Sequence, residues 1–110
     1  MTNKSSAARI SWVATKEMAS TTLGAVILSL SQEGRNRLLC ASTGIDPARQ
    51  FGEEPVAGSS DRRVIIRLSV ADSEDLRLIR TEIDGLLRVK FGITTCRLEA
   101  TGHEVPDPTS

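Results

Sequence analysis

Residues 62–92 read RRVIIRLSVADSEDLRLIRTEIDGLLRVKFG, and a change of hydrophobic period inside this stretch decides the fold class. From Arg62 to Val70 the residues Val64, Ile66, Leu68 and Val70 point one way and Arg63, Ile65, Arg67 and Ser69 the other, which is the period of a half-buried strand. Past Asp72 the spacing becomes helical, with Leu76, Ile79, Ile83, Leu86 and Leu87 on one stripe. Asp72 is suited to cap that helix, and the acidic Ser73-Glu74-Asp75 turn suits the positive end of its dipole. Asp84 and Arg88 offer a supporting i, i+4 pair on the outer side, and Gly92 closes the helix. A strand of this kind feeding an amphipathic helix predicts a sheet with helices packed on one face.

The same reading extends in both directions. Ala8, Ile10, Trp12 and Ala14 fall on one face of a first strand, with Arg9, Ser11 and Val13 on the other. Thr15 can cap a helix whose stripe is Ala19, Leu23, Val26, Ile27 and Leu30, with Gly34 as its stop. The β-branched and Ser/Thr residues of that helix lower its intrinsic propensity, so its stability must come from burying the stripe. Arg37 to Thr43 reads as a second strand ended by Gly44. Residues 44–61 hold Asp46-Pro47, Gly52, Pro55 and Gly58-Ser59-Ser60-Asp61, a composition that predicts a long hairpin loop, either functional or simply mobile. Cys96, Leu98 and Ala100 alternate with Arg97 and Glu99 in a short last strand. Residues 1–7 are expected to be a disordered lead-in and 102–110 a flexible tail, which leaves one domain over 8–101. The expected order is β-α-β-β-α-β, an α+β chain of ferredoxin-like type with two helices on one face of a four-stranded antiparallel sheet.

Composition narrows the function classes. Fourteen basic and fourteen acidic residues give a formal net charge of zero, so any contact with RNA must come from a local patch. Trp12, Phe51 and Phe91 are the only aromatic residues, too few for the stacking platforms of single-stranded RNA binders. Cys40 and Cys96 lie in predicted strands without CxxC spacing; they read as small buried hydrophobes, the alternative being a disulfide or redox pair. The apolar run Leu23 to Leu30 is too short to span a bilayer, and the N-terminal residues lack a signal-peptide core. A membrane-free, cytoplasmic or nuclear location is the expectation.

No convergent reactive groups are visible. The single histidine, His103, falls in the expected tail, and neither a GxGxxG nor a P-loop occurs. Glu53 and Glu54 are adjacent, but an acid/base pair needs burial that their loop does not predict. Asp72, Glu74 and Asp75 are explained by helix capping before a metal is invoked. The chain is therefore expected to have no catalytic residues, no metal site and no cofactor. Arg63 and Arg67 share the outward face of their strand, and Arg35 and Arg37 sit near the start of the neighbouring predicted strand. These four are the candidate RNA contacts, the alternative being a face charged for solubility. Ile65 and Val13 lie on that outer face and Leu78 off the helical stripe, so each is either an isolated exposed residue or covered by a second copy or a partner helix.

Two stretches carry a resemblance. The strand and helix ending Leu28-Ser29-Leu30-Ser31-Gln32-Glu33, and Val64-Ile65-Ile66-Arg67-Leu68-Ser69-Val70-Ala71-Asp72 leading into Leu76-Arg77, resemble the small dimerisation subunit of the KEOPS complex, the CTAG/Pcc family. Residues 44–61 and a strand after Gly92 depart from that family's plan. The resemblance implies a non-catalytic subunit that forms a homodimer and binds the kinase-like catalytic subunit of a complex making threonylcarbamoyl-adenosine in tRNA. It further implies a tRNA contact, and a partner-facing helix carrying Leu76, Arg77, Ile79, Arg80 and Ile83. Ile65-Ile66-Arg67, the helix from Glu74 and a final strand from Cys96 to Gly102 are also similar to the ferredoxin-like protein subunit of ribonuclease P. Leu86-Leu87, Phe91-Gly92-Ile93 and Leu98-Glu99 resemble the metal-sensing cytosolic domain of cation-efflux transporters.

Overall fold

A computed structural model of the chain describes residues 8–69 and 73–100. The elements run β1 (Ala8–Ala14), α1 (Ala19–Ser29), α2 (Gln32–Ala41), α3 (Pro47–Gln50), β2 (Phe51–Pro55), β3 (Arg62–Leu68), α4 (Ser73–Phe91) and β4 (Arg97–Ala100). The strands form one antiparallel sheet in the order β2-β3-β1-β4. The α+β class follows directly, with four helices where the sequence predicts two. The lead-in at 1–7, the Val70 end of the strand, the Asp72 cap, His103 and the tail at 102–110 lie outside the described residues.

The core forms where the alternating strands meet the helical stripes. Ile10, Trp12, Val64, Ile66 and Leu68 from one sheet face pack with Val26, Leu30, Ala41, Ile79, Ile83 and Leu87. The α4 stripe is the one read from the sequence, and Asp84 pairs with Arg88 on its outer side at 3.0 Å. Gly92 ends α4 at φ 68°, a conformation open to glycine at little cost. Trp12 is fully buried, and its indole Nε1–H donates to Thr22 Oγ1 at 2.9 Å. That hydroxyl in turn donates to the Ala19 carbonyl at 2.7 Å, so both polar side chains are satisfied inside the core.

Four expectations are corrected in the segment between β1 and β3. The first helix begins at Ala19 after a turn in which the Met18 N–H donates to the Thr15 carbonyl, so Thr15 is not its cap. It ends at Ser29, not at Gly34: Leu30 turns extended at ψ 142° and Ser31 opens a new helix, its hydroxyl accepting from the Gly34 N–H at 3.0 Å. Arg37–Thr43 is therefore not a strand, because Gly34, Leu38 and Ala41 recur at helical spacing and turn inward on α2. The predicted loop at 44–61 holds α3 and β2. Asp46 accepts from the Ala48 N–H at 3.0 Å with Pro47 in the first turn, and β2 then pairs along the whole of its length with β3.

A carboxylate from α4 ties the α1–α2 corner down. Glu82 Oε2 accepts from the Ser31 N–H at 2.6 Å, and its Oε1 accepts from the Ser31 hydroxyl at 3.0 Å. A side chain at position 34 would run into that carboxylate, which explains glycine inside α2. At the other end of α2, the Ser69 N–H and hydroxyl both donate to the Ala41 carbonyl, at 2.6 and 2.8 Å, docking the helix on the end of β3.

Candidate functional site: an arginine-lined sheet face

Helices α1, α2 and α4 contribute to a core on one side of the sheet, and the strand residues of opposite parity form the other face. On it, cross-strand pairs run Gly52, Ile65, Ser11 and Arg97 in one row and Glu54, Arg63 and Val13 in the next. A third row carries Arg67, Arg9 and Glu99. Four guanidinium groups, Arg9, Arg63, Arg67 and Arg97, thus share this face with the carboxylates Glu54 and Glu99.

The acidic residues are all engaged. Arg9 holds Glu99 at 3.0 Å and Glu54 at 3.7 Å, and Arg97 approaches Glu99 at 3.5 Å. Arg63 and Arg67 have no carboxylate within 4 Å among the described residues. Arg63 Nη1 donates to Ser11 Oγ at a long 3.4 Å, while Arg67 Nη1 donates to the Arg49 carbonyl at 2.9 Å. Gly52 leaves room for this, since a Cβ there would stand 3.0 Å from Arg67 Nη1. Ile65 and Ser11 are fully buried although they belong to this face, with Arg63 and Arg67 flanking Ile65 on its own strand. Arginine stems can cover apolar surface while a planar head keeps several donors, of which Arg63 and Arg67 each use Nη1 in these contacts. Ile65 therefore needs no second copy to cover it, and Val13 is half-buried.

The other candidate residues are dispersed. Arg35 and Arg37 lie in the helical layer: Arg35 Nη2 donates to the Leu28 carbonyl at 2.9 Å, and Arg37 faces Asp75 at 3.9 Å. They do not join Arg63 and Arg67. Ile79 and Ile83 are fully buried in the core, so these two cannot face a partner. Leu76 is half-buried, and Arg77 and Arg80 retain exposed side chains, paired with Glu74 at 2.5 Å and Asp84 at 4.0 Å. The exposed line of α4 runs instead through Leu78, Thr81, Gly85 and Val89. Glu53 and Glu54 stand on β2, Glu53 in an exposed ion pair with Arg62 at 3.4 Å. Arg9 and Arg97, which complete the cationic face, were legible in the sequence only as alternating charges; the register that brings them beside Arg63 and Arg67 was not.

Cys40 is exposed on α2, not buried in a strand, and Cys96 is half-buried just before β4. Burial, reinforced by nearby Asp84, pushes the Cys96 thiol up from 9.0 to about 12. The thiolate is the reactive form, so iodoacetamide at neutral pH is expected to alkylate Cys40 alone in the folded protein and both residues in denaturant, as read by mass spectrometry. Because the folded protein holds this proton more tightly than the unfolded chain, the thiol's contribution to stability is intact below pH 9 and is lost as pH rises toward about 12.

Among the described residues, no group of three or more His, Cys, Asp or Glu side chains is placed to hold a metal ion, and no helix is long and apolar enough to cross a membrane. Comparison with protein-family models and with curated proteins finds no match.

Proposed function

We propose that this chain works as a non-catalytic binding subunit whose open sheet face meets the phosphate backbone of a structured RNA, tRNA being the one that the KEOPS resemblance implies. The observation that carries the reading is the pair Arg63 and Arg67, on one sheet face with no carboxylate within 4 Å among the described residues. Guanidinium groups match phosphate oxygens in geometry and charge, and they position a nucleic acid without reading its sequence. The scarcity of aromatic residues fits backbone contact better than base stacking. Two copies meeting through this face would bring like charges together, so a homodimer is better served by another surface. The kinase-like partner is assigned to the exposed line of α4, where Gly85 would let a second helix approach closely. In fold terms, the order β4-β1-β3-β2 with α1, α2 and α4 packed on one sheet face is consistent with a ferredoxin-like plan that carries extra helices between β1 and β2.

Anisotropy titration of a labelled tRNA tests the reading. Replacing Arg63 and Arg67 together by alanine is expected to weaken binding roughly tenfold and to flatten the salt dependence by about two units of slope. Arg35→Ala and Arg37→Ala should leave both unchanged. The opposite pattern, loss on the helical-layer substitutions alone, would remove the sheet face as the RNA contact. Co-purification separates the two tRNA-related settings: a kinase-like protein supports the KEOPS type, and ribonuclease P RNA supports the alternative.

A further inference from the structure

We propose that a recess at the Ala14 end of β1 binds a small amphiphilic amine: an ammonium group carried on one aromatic or branched aliphatic body. The recess has a volume of about 280 Å3. Its apolar walls include Val13, Met18, Phe91 and Ile93, and Thr22 and Asp61 also line it. An apolar cavity of ~150 Å3 admits benzene, so this one has room for a ring with a short chain.

Charge decides the ligand class. Asp61 forms no ion pair among the described residues; the neighbouring Arg62 pairs with Glu53, and Arg63 Nη1 donates to Ser11 Oγ. The Asp61 backbone is fixed where the chain turns from β2 into β3, its carbonyl accepting from the Val56 N–H at 3.3 Å and its N–H donating to Ser59 Oγ at 3.0 Å. Asp61 is the one charged residue among those that line the recess, and a carboxylate beside apolar walls favours a cation. Thr22 makes no competing demand, since its hydroxyl already accepts from Trp12 and donates to Ala19. The rest of the ligand must therefore be apolar. Met18, 39% exposed, supplies an adaptable wall for such a body.

The chain carries its own reporter. Trp12 is its one tryptophan, and its indole bonds directly to Thr22, so occupation of the recess should alter its emission. The experiment titrates the full chain with phenethylammonium and with the neutral isostere 2-phenylethanol, following Trp12 fluorescence and backbone amide shifts. A saturable response is expected, centred on Val13, Thr22, Phe91 and Ile93, with the cation binding at least about fivefold more tightly than the alcohol. Asp61→Asn, verified as folded by an unchanged thermal melt, should bring the cation down to the affinity of the alcohol. Absence of a saturable response, equal affinities for the two probes, or a cation preference that survives Asp61→Asn would each overturn the assignment.

Discussion

Ile79→Ala is expected to lower the unfolding free energy by about 3–4 kcal/mol, the range for truncating a well-packed core isoleucine. Ile79 is fully buried in the cluster joining α4 to the sheet, so the lost methyl groups leave a cavity that a 19-residue helix cannot easily collapse. Urea denaturation followed by Trp12 emission measures the loss directly. Arg77→Ala on the same helix should change stability by under about 0.5 kcal/mol, because its pair with Glu74 is exposed. The contrast separates two roles for α4. If Ile79 served a partner instead, the isolated protein would tolerate its truncation and only complex formation would suffer.

Thr22→Val is expected to cost about 2 kcal/mol despite preserving side-chain shape, because a buried donor left without an acceptor keeps its full desolvation penalty. The donor is the Trp12 indole, which is fully buried and has Thr22 Oγ1 as its acceptor at 2.9 Å. Trp12→Phe in the Thr22→Val background should recover part of the loss. A double-mutant cycle by denaturation reads the coupling, and strict additivity of the two substitutions would show that the hydrogen bond contributes nothing.

Legibility in the sequence followed the strength of the apolar pattern. Val64, Ile66 and Leu68 in β3, and Ile79, Ile83 and Leu87 in α4, declare their periods through large side chains, and the structure uses each where its period places it. The stretch 32–55 does not. The inward positions of α2 include Gly34 and Ala41, which carry little hydrophobic signal, while exposed Leu39 and Cys40 beside Leu38 imitate a strand. The true start signal, Ser31 ahead of an acidic first turn, was available but looked like the tail of the preceding helix. β2 is an edge strand reading FGEEP with no residue fully buried, so its pairing with β3 comes from tertiary context alone. The arginine face was half legible: parity placed Arg63 and Arg67 together, but a wrong second strand put Arg35 and Arg37 beside them.

The Glu82 bridge also has a kinetic consequence. The Ser31 amide hydrogen donates to a carboxylate rooted near the middle of α4, at a site that neither helix of the α1–α2 corner controls by itself. Deuterium uptake at Ser31 therefore reports on the contact between this corner and α4, so its protection should follow the Glu82 bridge and not the fraying of a helix end. Glu82→Gln would weaken the bridge and let this one amide exchange early while Ile83 and Leu87 stay closed, showing that the carboxylate itself protects the corner.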